Sequence, residues 1–237
     1  MKRVFLLLTL LFLLSTGGLF AADEEFVLED DPFAESEMIS IFDPLEPVNR
    51  GVFWFNDKLY VYLLKPVARG LRIVPEPARV SVSNFFSNLG TPVRVVNNLL
   101  QLKLTNTGSE LARLLVNSTF GLAGLFDPAT AWGLEKKNED LGQTFGHYGV
   151  GSGFYLVLPV LGPTSLRDGV GRVGDYFVDP LPHALKQEEL IGLRVLDSEN
   201  RLSLDKDTYE GIIKHEIDPY LFVRNAYAQY RAAEVKE

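Results

Sequence analysis

Three histidines, His147, His183 and His215, are the first side chains to weigh for proton transfer or metal binding. They lie far apart, and no i, i+4 pair places two of them on one helix face to hold zinc. The chain has no cysteine, which removes thiolate catalysis, thiolate metal sites and disulfides. No G-x-S-x-G nucleophile elbow and no phosphate-cradling G-x-x-x-x-G-K is present. Gly169, Gly171 and Gly174 do satisfy G-x-G-x-x-G, with Glu189 about 20 residues beyond the first of them. A dinucleotide fingerprint must begin at the tip of a core strand, and Gly162 through Asp168 intervene here. The same spacing on a helix lets two backbones approach closely. These residues predict neither a catalytic centre nor a metal or cofactor site.

Arg167-Asp168 follows an apolar run and sits at a helix start, where an aspartate interacts well with the helix dipole. An ion pair beside a cap is the simpler reading; an arginine that receives a phosphate or carboxylate is the functional one. The run Gly146-His147-Tyr148-Gly149-Val150-Gly151-Ser152-Gly153-Phe154-Tyr155 alternates glycine with other residues, which suits a movable loop. Gly149, Gly151, Gly153 and Tyr155 are therefore candidate hinge residues, with His147, Arg167 and Asp168 as polar neighbours. Phe53, Trp54, Phe55 and Tyr60 crowd one stretch, a density that suits a bilayer interface or an aromatic core equally.

The elements that must position these residues are mostly helical. Asp43-Pro44-Leu45-Glu46 and Thr107-Gly108-Ser109-Glu110 read as capping boxes, Asp207 to Glu210 repeats the signature, and Asp218-Pro219 opens a last helix. Phe154–Leu161 is the one strand signal, and its proline confines it to an edge or a hairpin arm. The sequence predicts a mostly α fold with one Gly-rich hairpin.

Composition sets the address. Lys2 and Arg3, an apolar run from Val4 to Leu14, and small residues up to Ala21-Ala22 describe a secretory signal peptide over 1–22. The run falls short of the roughly 20 apolar residues that a spanning helix needs. The net charge is −8, and ten acidic residues fall between Ala22 and Val48 with no basic one among them. Residues 23–42 thus form an acidic, flexible leader. Beyond it the body is close to neutral, which excludes the basic face that nucleic acid requires. The expected division is 1–22, 23–42 and a helical domain over 43–234.

Several blocks, in order, resemble the VacJ/MlaA family of outer-membrane phospholipid transport proteins. They are Asp43-Pro-Leu-Glu-Pro-Val-Asn49-Arg50 with its aromatic run, Val74-Pro75 through Arg79 with Ser83-Asn84-Phe85, Asn117 to Asp127, Glu139 through Tyr155 and on to Asp168, and Asp218-Pro219-Tyr220 with Arg224 and Tyr227. The resemblance implies a ring-like arrangement of amphipathic helices around a channel, seated in the outer membrane at its periplasmic side. It implies a passive conduit that removes misplaced phospholipids from the outer leaflet and passes them to a periplasmic, MlaC-like carrier. A trimeric porin is a further implied partner, and the glycine run is implied to belong to the hairpin controlling the channel. The family's members carry an acylated cysteine, and this sequence offers none for such an anchor. A structural envelope protein of the same fold that has lost transport, and a periplasmic lipid hydrolase, are the rival readings.

Overall fold

The computed structural model describes residues 41–236, so the expected signal peptide and all of the acidic leader except Ile41 and Phe42 lie outside the described residues. The elements run α1 (Glu46–Leu59), a π-helical turn (Tyr60–Leu64), α2 (Lys65–Leu71), α3 (Glu76–Leu89), α4 (Thr91–Leu100), α5 (Leu104–Thr119) and α6 (Pro128–Ala131). There follow α7 (Leu141–His147), β1 (Tyr155–Leu158), β2 (Gly162–Ser165), α8 (Leu166–Val178), α9 (Leu181–Ala184), α10 (Gln187–Leu204), α11 (Thr208–His215) and α12 (Pro219–Lys236). The described fold is mostly α with one hairpin.

Local signals set some helix starts and were overruled at others. Asp218 caps α12 by accepting the Leu221 N–H at 3.1 Å, with Pro219 in the first turn. Asp140 and Gln143 form a reciprocal capping box on α7, and the Ser165 hydroxyl accepts the Asp168 N–H on α8. The three other expected boxes do not form, because their acids take polar or oppositely charged partners elsewhere. Asp43 instead accepts from the Asn49 amide at 2.8 Å and from the Tyr220 hydroxyl. Thr107 lies inside α5, where its hydroxyl donates back to the Lys103 carbonyl, while Glu110 is fully buried against Arg94 at 2.7 Å. At α11 it is Asp205 that caps Thr208, and Glu210 accepts from the Tyr60 hydroxyl and pairs with Lys65. A hydrogen bond to a charged group contributes about 1.5–3 kcal/mol, more than the typical cap of about 1 kcal/mol, so pairing prevails.

The hairpin pairs Tyr155 with Ser165 and Leu158 with Gly162 in an antiparallel register. The outer edge of β1 is covered by α1 through two asparagines seven residues apart on the same helix face. Asn49 donates to the Tyr155 carbonyl and accepts from the Val157 N–H, and Asn56 does the same for the Leu158 carbonyl and the Val160 N–H. Side-chain amides thereby stand in for a third strand and satisfy an otherwise open edge. Tyr155, Val157, Tyr220 and Ala228 form a small core, and Ile41 joins it. The Tyr155 N–H donates to the Phe42 carbonyl, so these last two residues of the leader pack with the body.

Neighbouring elements make a closed circuit. It runs from α1 through the π turn to α2, across to α10, to α3 and α4, on to α7 and α12, and back through β2 and β1 to α1. One link is unusually tight. A methyl group built on Gly171 of α8 would stand 2.8 Å from the Gly142 Cα of α7, and closer still to its nitrogen. The G-x-G-x-x-G spacing therefore serves helix packing, within α8 rather than at a strand tip. Because the obstructing atoms are backbone, Gly171→Ala is expected to cost about 1–3 kcal/mol through overpacking. Thermal melting of the variant in mild detergent measures this, and an unchanged midpoint would refute the close approach.

Candidate functional site

Polar side chains occupy the places where a soluble domain puts its hydrophobic ones. Among the described residues, buried polar and charged side chains outnumber buried hydrophobic ones about two to one. Large apolar side chains lie instead on the outside, among them Trp54, Tyr62, Phe120, Trp132 and Phe177. Helix α4 and the residues just after it show the sorting: Arg94, Asn97, Asn98 and Gln101 are buried while Leu99, Leu100 and Leu102 are exposed. Among the described residues no helix is long and apolar enough to cross a membrane. Contiguous apolar surface of this kind marks contact with lipid or with another protein.

The polar interior is organised around two chains of hydrogen bonds. Along α4 and α7, Lys103 and Gln101 both donate to Glu139 at 2.6 Å. Gln101 also donates to the Thr144 hydroxyl, which donates to Asn97, whose amide in turn donates to Asp175 at 2.8 Å. Burial raises Asp175 to about 6, opposed by the bonds it accepts from the Leu141 N–H and Asn97. The second chain centres on Asp168, which accepts from Arg167, from Arg231 at 2.9 Å and from the Tyr227 hydroxyl. Arg231 extends the chain to Asp140 through two bonds of 2.9 Å. Burial would raise Asp168, yet Arg231, Arg167 and Tyr227 together hold it down to about 2.

The candidate site residues separate on this scaffold. Arg167 and Asp168 are buried together and pair with each other, the simpler of the two readings of that dipeptide. They also anchor the glycine run: the Arg167 N–H donates to the Ser152 carbonyl, and the Leu166 N–H to the Phe154 carbonyl. His147 is exposed at the end of α7, with its ring edge-on to Tyr148 at 5.1 Å. Gly149 and Gly153 have φ of 83° and 70°, a region that other residues rarely adopt, whereas Gly151 has no positive φ and open space around it. Tyr155 departs from its expected place in the hinge. It is 0% exposed and packs edge-on to Tyr220 in the core, because strand alternation turns it inward. The aromatics of α1 divide as helical spacing demands. Trp54 and Phe55 are exposed, while Phe53 meets the Tyr220 ring and Tyr60, in the π turn that follows, meets Tyr209 edge-on at 4.6 Å.

Sequence reasoning missed Asn49, Asn56, Arg231 and the Arg94–Glu110 pair. The available signal was polarity out of place: two asparagines seven apart in an apolar helix, and charges on helix faces that lacked room for solvent.

Comparison with known proteins follows the same lines. A sequence profile for the family described as MlaA lipoprotein matches residues 41–234. An uncharacterized protein of Rickettsia felis is 35% identical over 204 residues, covering 85% of this chain and 81% of that one. The intermembrane phospholipid transport system lipoprotein MlaA of Escherichia coli K12 is 37% identical over 194 residues, covering 79% and 76%. A solved chain, from work on the structural basis for maintenance of bacterial outer membrane lipid asymmetry, superposes with a TM-score of 0.70 at 35% identity, covering 81% of this chain and 98% of that one. With its length, fold and motif blocks all in agreement, the chain belongs to the MlaA lipoprotein family.

Proposed function

We propose that this protein is the outer-membrane component of an intermembrane phospholipid transport system. It acts as a passive conduit by which misplaced phospholipids leave the outer leaflet. The observation that carries this reading is the inversion of polarity around a closed circuit of helices. An apolar exterior suits a seat in one leaflet, and a polar interior lowers the large cost of moving a charged headgroup through hydrocarbon. No covalent step is needed, so no catalytic residue is assigned. A soluble periplasmic carrier of the MlaC type would receive the lipid, and a trimeric porin would hold the ring in place. The exposed apolar side chains supply retention in the membrane.

Purified full-length protein extracted in mild detergent is expected to carry phospholipid, and deletion of its gene to expose phospholipid at the cell surface. Protein that stays monodisperse in water without detergent and free of lipid would overturn the reading.

The glycine loop is the part of this proposal that moves. Gly151→Ala meets no obstruction, so stability is expected to stay within about 1 kcal/mol, while the narrower backbone choice slows lipid passage. Gly149→Ala should add a strain of about 1–2 kcal/mol. Lipid transfer between liposomes, measured beside thermal melting, separates the two effects; equal loss of both for Gly151→Ala would make the loop a fixed turn.

A further inference from the structure

Between α5 and α6 the chain makes a tight loop, residues 120–127, that turns its large side chains outward. Phe120, Leu122, Phe126 and Trp132 are each more than half exposed, and Leu115 is exposed on the last turns of α5. The Phe120 and Trp132 rings stand 5.4 Å apart, so the loop and the end of α6 present one patch. Between Leu114 and Leu134 the sequence holds a single charged residue, Asp127. Its carboxylate is matched inside the fold by Arg113 and Asn117, each at 2.8 Å, and by the Thr130 hydroxyl. The patch therefore carries no unpaired charge.

Its backbone is closed on itself. The N–H groups of Phe120, Gly121, Ala123, Gly124, Leu125 and Phe126 donate to carbonyls between Val116 and Leu122. The Thr119 hydroxyl donates back to the Leu115 carbonyl, and Ser118 accepts from the Asn88 amide at 3.1 Å. An irregular segment facing lipid must satisfy its polar groups internally, whereas in water the solvent does so. The closure holds residues in conformations that oppose a side chain. Leu122 and Ala123 have φ of 52° and 59°, ahead of Gly124 at 91°. That left-handed region suits glycine, yet a leucine stands there with its side chain outside the body. A methyl group on Gly121 would collide with the backbone oxygens of Phe126 and Asn117, and one on Gly124 with the Asn88 side chain. The loop is thus a fixed tip.

We infer that residues 120–126, with Trp132, insert into the hydrocarbon of one leaflet and hold the protein there. This rests on the membrane seat in the reading above and names the part of the surface that enters the acyl chains. A protein partner is fixed by hydrogen bonds and charges as well as by apolar area, and those of this loop are already taken internally. Acyl chains ask for neither. Among the described residues no helix is long and apolar enough to cross a membrane, so the tip reaches into a leaflet rather than through it. Trp132 beside Phe120 suits the edge of that layer, where tryptophan is enriched.

The chain holds two tryptophans, so Trp54→Phe leaves Trp132 as the single reporter. The full chain is reconstituted in liposomes of phosphatidylethanolamine and phosphatidylglycerol, with and without bromine on the acyl chains. Trp132 fluorescence is expected to be quenched by the brominated lipids and shielded from acrylamide in the water. Wild type, Leu122→Gly and Leu122→Asp are then compared for recovery with floated liposomes over a lipid dilution series. Both variants are expected to bind about tenfold more weakly, equivalent to about 1.4 kcal/mol. Leu122→Gly should melt no lower than wild type, because glycine accepts the left-handed backbone, so its weaker membrane hold is not a loss of fold. Quenching of Trp132 by acrylamide but not by bromine, in liposomes that carry the protein, would overturn the insertion alone. Shielding from both quenchers would also overturn it, in favour of a covering protein surface such as a second copy of the chain. Leucine variants that bind as wild type would remove the tip from the membrane hold. A chain that fails to associate with liposomes in any form would overturn the membrane seat itself, and the insertion with it.

Discussion

Asp168→Ala is expected to remove about 3–5 kcal/mol of folding stability, a large share of the roughly 5–15 kcal/mol that holds a typical domain folded. The carboxylate is 5% exposed and holds Arg167, Arg231 and Tyr227 at once. Removing it strands two buried guanidinium groups, one of which also bridges to Asp140 from the terminal helix. The junction of β2, α8, α7 and α12 would lose the group that ties it together. Asp168→Asn keeps the shape but not the charge, and should fall between wild type and the alanine variant. The pH dependence has a defined sign. The folded carboxyl lies at about 2 against an ordinary 3.8, so its contribution is complete above the ordinary value and lost as pH falls toward 2. Acid melts of wild type should therefore show a loss over that window that Asp168→Asn lacks. An alanine variant melting within a few degrees of wild type would contradict this account of the junction.

Asn49→Leu is the second large effect, expected at about 3 kcal/mol or more. Asn49 is 1% exposed, and its amide serves the Asp43 carboxylate, the Tyr155 carbonyl and the Val157 N–H together. Leucine fits by volume and supports the helix, yet it leaves three buried polar groups without that partner, at about 1–3 kcal/mol for each unsatisfied group. Asn56→Leu removes a similar pair of bonds at the partly exposed end of the hairpin, where water can substitute, and should cost less. Hydrogen exchange gives an independent measure: the Val157 amide should lose protection in Asn49→Leu before the α10 amides do. Equal melting of the two leucine variants would show that burial does not govern the cost.

How much of this was legible beforehand differs by residue. The Asp218-Pro219 start of α12 was readable because an aspartate before proline caps a helix using only adjacent atoms. The apolar run from Phe154, broken by Pro159, was readable as a hairpin arm, since proline cannot serve a central strand. Gly171 and Gly174 of α8 were readable as packing, though not their partners Gly142 and Leu141, because no local rule names the facing element. Thr107-to-Glu110 misled for the opposite reason. Its capping pattern is genuine, but Glu110 lies where Arg94 reaches it in a dry interior, and a buried charge takes its partner before a helix start takes its cap.

Tyr155 marks the same boundary at the candidate site. Its place beside four glycines suggested a hinge, and only the turn of the strand and the depth of the Tyr220 core place its ring away from the loop. The aromatics of α1 were ambiguous between lipid and core, and the structure assigns Trp54 and Phe55 to one side and Phe53 and Tyr60 to the other. A face can be counted along a helix, but which face meets protein depends on neighbours distant in the chain.

From sequence alone came the helical class, the hairpin, the neutral body behind an acidic leader, and the blocks that identify the family, since each depends on residue order over short stretches. Tertiary structure decided which polar faces turn inward. Only the packing of distant elements brings Arg94 to Glu110 and Arg231 to Asp168. Charge pairing across an interior is a property of distance in space, and the order of residues does not carry it.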